Sequence, residues 1–287
     1  MIDASQVTIV IPHLGATVEA EYALKECLTS LEETVPNIEK IVAFNNGLPE
    51  GFQEVGLFGD SYDNPWKFKY IGLSEQGQCK AVNAAAATVN TPWIFVTNDD
   101  MVYGFNWWER LTRWGGKHYL CISPKLVEPR QGAPTFEVQP FGGAGGDFDK
   151  NKWLKFVEEY GAVHEIRKGF NLPFLIKREL WDLVGGYDIN YDPWGSNGDS
   201  DLEYKIRLAG VQPYQNTNCI VYHFSQTSGT FHPDNQSYWQ KNWDYFISKW
   251  GFPRTDEGIW EANFHMPTKE EGRIFQPDWE GKFGEVY

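Results

Sequence analysis

Trp93-Ile-Phe-Val-Thr-Asn-Asp-Asp100 decides the fold. Its apolar start reads as a buried strand, Trp93–Thr97, and Asn98-Asp99-Asp100 stands directly at the carboxyl end. Upstream, an Ala-rich helix opens at Gly77 and runs to about Val89. Before it lie a short strand at Lys67–Ile71, a loop ending near Pro65, and a strand at Lys40–Phe44 that closes in the turn signal Asn45-Asn46-Gly47. Thr17 to Glu33 reads as a helix with Leu24, Cys27, Leu28 and Leu31 on one face, and Pro36 lies past its end. Val7–Ile11 is a β-branched run that Pro12 is expected to end. Strands alternating with helices predict an α/β fold with a mostly parallel, Rossmann-like sheet flanked by helices. Ligands of such sheets bind beyond the carboxyl ends of strands, which puts Asn45, Asn46, Asp99 and Asp100 on one rim.

The second half is less regular. A helix is expected over Phe105 to Trp114 and a strand over Tyr119–Ser123. Phe141 to Asp147 is a glycine-rich loop without the Gly-Lys-Ser/Thr ending of a phosphate loop; it reads as a lid over a second substrate or as a plain linker. Leu172–Lys177 is a strand, and Arg178 to Val184 is a short helix stopped by Gly185-Gly186. A loop spans Asp192 to Gly198, a helix Asp201 to Ala209, a strand Cys219–Phe224 and an aromatic helix Gln236 to Trp250. The last thirty residues carry no assignment and no internal repeat is visible. The chain divides into residues 1–120, 121–235 and 236–287.

At 287 residues the chain makes one large α/β unit or two domains. Its 41% hydrophobic and 22% charged residues exclude disorder, collagen and coiled coil. Lys+Arg 25 against Asp+Glu 39 give −14, which counts against nucleic acid and anionic membrane as partners. No apolar run approaches the roughly 18 residues of a transmembrane helix, and Met1 to Gln6 leads straight into a strand without a signal-peptide pattern. Cys27, Cys79, Cys121 and Cys219 show no metal spacing and read as reduced thiols, so a cytoplasmic protein is expected. The 16% aromatic content suits a large core or a cleft whose flat rings stack on sugars.

Asn98-Asp99-Asp100 is either a solvated turn or a cation site. Adjacent carboxylates repel unless a cation sits beside them, and Mg²⁺ or Mn²⁺ takes oxygen ligands together with substrate phosphates. His223, at another strand end, is a structural residue or an imidazole ligand that completes such a site with Asp100. His13, after the first strand, is a structural residue or a nucleotide contact. In Asn197-Gly-Asp-Ser-Asp201, acidic residues complement a helix start. Asp201 reads as the structural one, while Asp199 on the loop side can face a cleft as a general base. Trp194 suits a loop that approaches a ligand, and Trp107 and Trp108 are acceptor platforms or core.

Together these segments resemble the family 2 glycosyltransferases of the GT-A fold. The match runs from about Val7 to Gly251. Val7–Pro12 resembles the family's first strand and its proline. Phe44-Asn45-Asn46-Gly47 resembles the turn that meets the nucleotide base, with Asn45 in the place of an Asp. Gly77 to Asn83 is similar to the Gly-x-x-[Arg/Lys]-Ala-x-Asn helix start, with Lys80 and Asn83 at its key positions. Thr97 to Met101 resembles the Asp-x-Asp motif, with Asn98 first and Asp100 last. Leu172 to Asp188 is similar to the family's strand, basic pair, short helix and Gly-Gly-aromatic-Asp segment. Asp199 to Gly210 resembles the Glu-Asp-x-Asp-Leu helix, with Gly198 in the place of the Glu. Val221 to Ser225 resembles the segment whose His completes the metal site, and Tyr245 to Gly251 the closing helix.

The resemblance implies inverting transfer of a sugar from a nucleotide-diphosphate donor to a hydroxyl of a glycan or glycoconjugate. Pro12, Asn45, Asn46, Lys80, Asn83, Asn98 and Asp99 would bind the donor, and Asp100 and His223 would hold Mn²⁺ or Mg²⁺. Asp199 would be the base, with Trp194 and Asp201 on the acceptor side. Two other readings stay open: a degenerate transferase fold that only binds carbohydrate or nucleotide, and transfer to a modified nucleic-acid base. A nucleotidyltransferase would want a Gly-rich basic signature that Pro12-His-Leu-Gly15 does not supply.

Overall fold

The computed structural model describes residues 1–15, 17–46, 59–60, 66–113, 119–130, 137–160, 166–225, 227, 232–251 and 277–283. Gly47, most of the loop up to Pro65, Trp114, Pro253 and most of the last thirty residues lie outside them. The described strands are β1 (Val7–His13), β2 (Glu39–Phe44), β3 (Gly59–Asp60), β4 (Lys69–Gly72), β5 (Trp93–Val96) and β6 (Met101–Tyr103). They continue as β7 (Cys121–Glu128), β8 (Glu137–Val138), β9 (Ile166–Lys168), β10 (Phe174–Lys177) and β11 (Tyr214–His223). All join one sheet in the order β3-β4-β2-β1-β5-β10-β7-β11-β6, with β8 beside β7 and β9 beside β11.

Strands β4, β2, β1 and β5 run parallel. Strand β10 is antiparallel to both β5 and β7, and β11 returns parallel to β7. Two reversals cancel, so the carboxyl ends of β1, β5, β7 and β11 share one rim. The helices are α1 (Val18–Thr34), α2 (Gln78–Thr88), α3 (Trp107–Thr112), α4 (Lys150–Glu159), α5 (Arg178–Val184), α6 (Gly198–Leu208) and α7 (Gln236–Trp250). Alternation along β1 sends Val10 to a core under α2, α5, α6 and α7, and Ile9 and Ile11 to a core under α1 and α3. A third cluster packs α4 and Phe141 onto Val127 and Tyr222.

Pro12 does not end β1; it pairs with Ala43 inside the strand. Val10 O accepts from Thr97 N on the β5 side and His13 O from Asn45 N on the β2 side. Alternation therefore turns the missing N–H of Pro12 toward the gap beyond β5, where it costs no ladder bond. Thr17 caps α1 by accepting from Ala20 N at 3.0 Å, an interaction worth about 1 kcal/mol. Strands β7 and β11 are longer than their apolar runs suggest. Strand β6 starts directly after Asp100, and α6 starts at Gly198, so Asp199 lies inside its first turn rather than before it. Trp107 and Trp108 are both buried core residues and not acceptor platforms. Trp107 Nε1 donates to Thr34 Oγ1 at 2.8 Å.

An ionic network ties α7 to α6. Lys249 Nζ lies 2.8 Å from both Asp188 Oδ2 and Asp201 Oδ1. Tyr245 O–H donates to Asp188 Oδ2 and Trp250 Nε1–H to Asp201 Oδ1. Burial works to raise the Asp188 carboxyl, but Lys249, the Asn190 N–H and Tyr245 outweigh it and hold it at about 2, against an ordinary 3.8. A depressed value means the stabilisation is complete above pH 3.8 and lost as pH falls through 2. Asp188→Asn is expected to cost about 1–2 kcal/mol at pH 7, roughly 2–8 °C in Tm. Thermal melts across pH should show that difference shrinking toward pH 2, whereas a pH-independent difference would remove the ionic origin.

Candidate active site

The turn between β5 and β6 carries two buried carboxylates in succession, Asp99 at 8% and Asp100 at 5% exposure. Each has its own histidine. His13, from the end of β1, sets Nδ1 2.6 Å from Asp99 Oδ2, and its Nε2 faces Glu21 Oε1 of α1 at 3.3 Å. His223, from the end of β11, sets Nε2 3.3 Å from Asp100 Oδ2. The antiparallel pairing of β6 with β11 brings this about by placing His223 opposite Met101. The same register lets Phe224 N donate to Asp100 O at 3.0 Å. Thr227 Oγ1 donates to Asp100 Oδ2 at 2.9 Å.

Burial raises the Asp99 carboxyl, and the neighbouring Asp100 charge adds to that against the pull of His13. Asp100 moves the other way, because His223 and Thr227 outweigh its burial. Burial lowers the His13 imidazole, but Asp99 and Glu21 override it and raise the net value. His223 has a further partner that sequence reasoning missed. Glu128, the last residue of β7, holds Nδ1 at 2.6 Å through Oε1. Only strand pairing joins Glu128 to His223, so no local pattern announces it.

Asp100 Oδ1 is buried and makes no hydrogen bond, as is Glu128 Oε2. An unbonded carboxylate oxygen and an imidazole are donor types that a divalent cation accepts, and a bond such as that from Glu128 is the kind of outer support that orients a ligating histidine. Among the described residues no group of three or more His, Cys, Asp or Glu could hold a metal ion. The pair Asp100 and His223 therefore fits a cation whose remaining ligands come from substrate and water.

The other sequence-predicted residues spread along the rim. Asn45 is buried with Oδ1 unbonded, Asn46 is exposed and Pro12 lies in the strand just before His13. Asn98 Oδ1 accepts from Gln78 Nε2 at 3.4 Å. Lys80 Nζ lies 3.3 Å from Glu75. Asn83 spends both polar ends on the Tyr187 backbone, donating to Tyr187 O at 2.7 Å and accepting from Tyr187 N at 2.9 Å. Gly186 sits beside that clamp at φ +62, where a Cβ would strike Asn83 Oδ1 and Trp181, so glycine is required.

The clamp fixes Tyr187, whose O–H donates to Asp199 Oδ1 at 2.6 Å. Burial first, then the Asp199 charge, keeps Tyr187 protonated and able to donate. Asp192, read from sequence only as the start of a loop, accepts from Cys79 N at 2.7 Å and Lys80 N at 3.1 Å, capping α2 from the loop before α6. This draws the starts of α2 and α6 together, and Gln78 of α2 reaches Asn98. Trp194 is half-buried in the same loop. Asp201 has no exposed surface and is bonded to Trp250 and Lys249, so it cannot meet an acceptor; its role is the structural one.

A central, mostly parallel sheet flanked by helices, with acidic and histidine side chains gathered on its carboxyl rim, agrees with the GT-A resemblance. The chain belongs to glycosyl transferase family 2, whose profile matches residues 8–155. Solved structures agree on the fold. GalNAc-T7, crystallised with UDP, GalNAc and Mn²⁺, superposes with a TM-score of 0.58 at 17% identity. That match covers 86% of this chain and 49% of GalNAc-T7. The mannosyltransferase PcManGT from Pyrobaculum calidifontis, in complex with GDP-Man and Mn²⁺, gives 0.53 at 14% identity over 85% of this chain and 64% of that one. Residues 1–349 of S. aureus TarS give 0.53 at 13% identity over 88% and 74%. This chain thus spans about half the length of GalNAc-T7. No curated protein matches it significantly in sequence. No helix among the described residues is long and apolar enough to cross a membrane.

The site makes a titration prediction. Burial works to lower His223, yet Asp100 and Glu128 on its two sides raise it from 6.5 to about 10. In metal-free protein the imidazolium should persist until about pH 10 in ¹H–¹⁵N NMR. The stability it contributes is complete below 6.5 and fades as pH rises through 10. Glu128→Gln should bring the titration down toward the ordinary value; an unmoved titration would contradict the bracketing.

Proposed function

We propose that this chain is an inverting, metal-assisted glycosyltransferase that moves a sugar from a nucleotide-diphosphate donor to a hydroxyl of a glycan or glycoconjugate. The observation that carries the reading is the orphaned Asp100 Oδ1 beside a His223 locked by Glu128, on the rim that also bears Asp99 and the turn into α6. Mn²⁺ or Mg²⁺ would be held by Asp100 and His223 and, when bound, would offset the charge of the leaving diphosphate. Two structural neighbours, solved with UDP and with GDP-Man, support this donor class.

Residues 1–120 form the donor half in this reading. Pro12, Asn45 and Asn46 face the base, and Asn98, Asp99 and Lys80 the ribose and diphosphate. Residues 121–235 form the acceptor and catalytic half, with Trp194 at its mouth; residues 236–287 form a closing helix and tail. Asp199 accepts the proton of the acceptor hydroxyl as its oxygen bonds to the anomeric carbon. The bond from that carbon to the diphosphate breaks, and the nucleoside diphosphate leaves with the electron pair. The Tyr187 O–H fixes one Asp199 oxygen and so orients the carboxylate for this work. Four free, buried thiols suit a cytoplasmic enzyme.

Asp199→Asn keeps the size and the Tyr187 bond but removes the base. Transfer is expected to fall by about two orders of magnitude or more, with nucleotide affinity retained. Steady-state transfer and calorimetry on the same preparation check this, and NMR of the product anomer checks inversion. Unchanged transfer would remove Asp199 from the mechanism, and a retained anomeric configuration would remove direct displacement.

A further inference from the structure

The carboxyl rim carries two contact series of the same order, each running from a glutamate through an imidazole to an aspartate. One is Glu128, His223 and Asp100; the other is Glu21, His13 and Asp99. The first is taken up in the proposed cation site, and the second has no role assigned to it. The two differ at their outer ends. The Glu128 side chain is 3% exposed, whereas that of Glu21, in the first turn of α1, is 56% exposed.

His13 lies between Glu21 and Asp99 with no exposed side-chain surface. Phe44 meets its ring edge to face, with 5.5 Å between centroids. Burial leaves His13 no direct contact with a nucleotide, the alternative that the sequence held open. Whatever His13 does for a ligand therefore passes through Asp99, whose side chain keeps 12% of its surface open on the rim.

The ring is held from both ends. An ionised carboxylate has no hydrogen to give, so each ring nitrogen donates: Nδ1 to Asp99 Oδ2 at 2.6 Å and Nε2 to Glu21 Oε1 at 3.3 Å. A histidine bonded at one nitrogen alone swings about χ2, whose energy well is broad. The second contact removes that freedom, as an outer carboxylate does for a ligating histidine. Gly15 leaves the room this needs, because a Cβ there would stand 2.6 Å from Glu21 Oε1 and 3.1 Å from His13 Nε2. Acidic residues in a first helical turn also complement the helix dipole, and that plain role is open to Glu19 and Glu21 alike. Glu21 in addition meets a buried ring. We infer that Glu21 and His13 are positioning residues: through His13, Glu21 holds the Asp99 carboxylate in the orientation that binds the nucleotide donor. The inference rests on the donor-binding role proposed above for Asp99.

The test compares wild type with Glu21→Ala, Glu21→Gln and Gly15→Ala in the full chain, by calorimetry with UDP, GDP, TDP and CMP in Mn²⁺. Glu21→Ala should weaken nucleotide binding about tenfold, the scale of a hydrogen bond to a charged group. Glu21→Gln keeps an oxygen for the Nε2–H and should restore binding to within about threefold of wild type. Gly15 takes no left-handed φ, so alanine suits its backbone, while the new Cβ displaces the exposed Glu21 carboxylate. Gly15→Ala should therefore weaken binding as Glu21→Ala does, with no further loss when the two are combined. In ¹H–¹⁵N spectra of histidine-labelled protein without nucleotide, the His13 Nδ1–H should give a sharp downfield signal in wild type and Glu21→Gln. That signal should broaden in Glu21→Ala and Gly15→Ala. A Glu21 that serves the helix dipole alone would lower Tm in both of its variants and leave nucleotide affinity and the His13 signal unmoved, which would overturn the inference. Equal nucleotide affinity in wild type and Glu21→Ala overturns the inference and leaves the transferase reading standing, whereas no nucleotide bound by wild type overturns both.

Discussion

Asp99 and Asp100 are neighbouring carboxylates, both buried, and the rim is organised around making that tolerable. Two buried negative charges in succession are costly unless each is matched. His13 matches one from β1 and His223 the other from β11, so the turn draws on strands from both halves of the sheet. The matching is unequal. Asp99 Oδ2 has a short imidazole contact at 2.6 Å, while Asp100 keeps one oxygen unbonded. His223 and Thr227 hold the Asp100 charge while leaving that oxygen open on the rim, and burial together with the Asp100 charge pushes Asp99 up.

The scaffold's irregularities serve the same turn. Inserting β10 antiparallel between β5 and β7 keeps β7 and β11 pointing toward the rim, which delivers Glu128 and His223 side by side. On the opposite side of the cleft, α6 is held along its length. Asp192 ties its preceding loop to α2, Asp201 is locked by Lys249 and Trp250, and Gly281 N and Phe283 N bond to Leu208 O and Ala209 O at its end. A helix fixed this way presents Asp199 with little freedom, as its proposed role of general base requires.

Much of this was legible in the sequence because it is local. Arg178–Val184 and Gln236–Trp250 were read to the residue, since glycines at φ +74 and +81 end both helices. The alternation from Val7 to Val96 reads directly from apolar runs. What escaped is non-local or short. Strand β6 is three residues long and exists because β11 pairs with it. Asp192 is an unremarkable loop acid until α2 arrives above it. Asp201 was legible as a structural acid at a helix start, and only the acceptor contact implied by the resemblance fails, because its side chain is bonded to Lys249 and Trp250. Helix α4 did carry a signal that went unread: Asp149 as its cap, with Trp153 and Val157 buried one turn apart.

The most direct measurement of the central claim is calorimetric binding of UDP, GDP, TDP and CMP to the wild-type chain, each with Mn²⁺, with Mg²⁺ and with EDTA. The account predicts that one nucleotide binds with metal present and that EDTA abolishes the binding, because Asp100 and His223 would hold a cation that completes the site for the diphosphate. Equal affinity with and without metal, or no binding by any nucleotide, would contradict it.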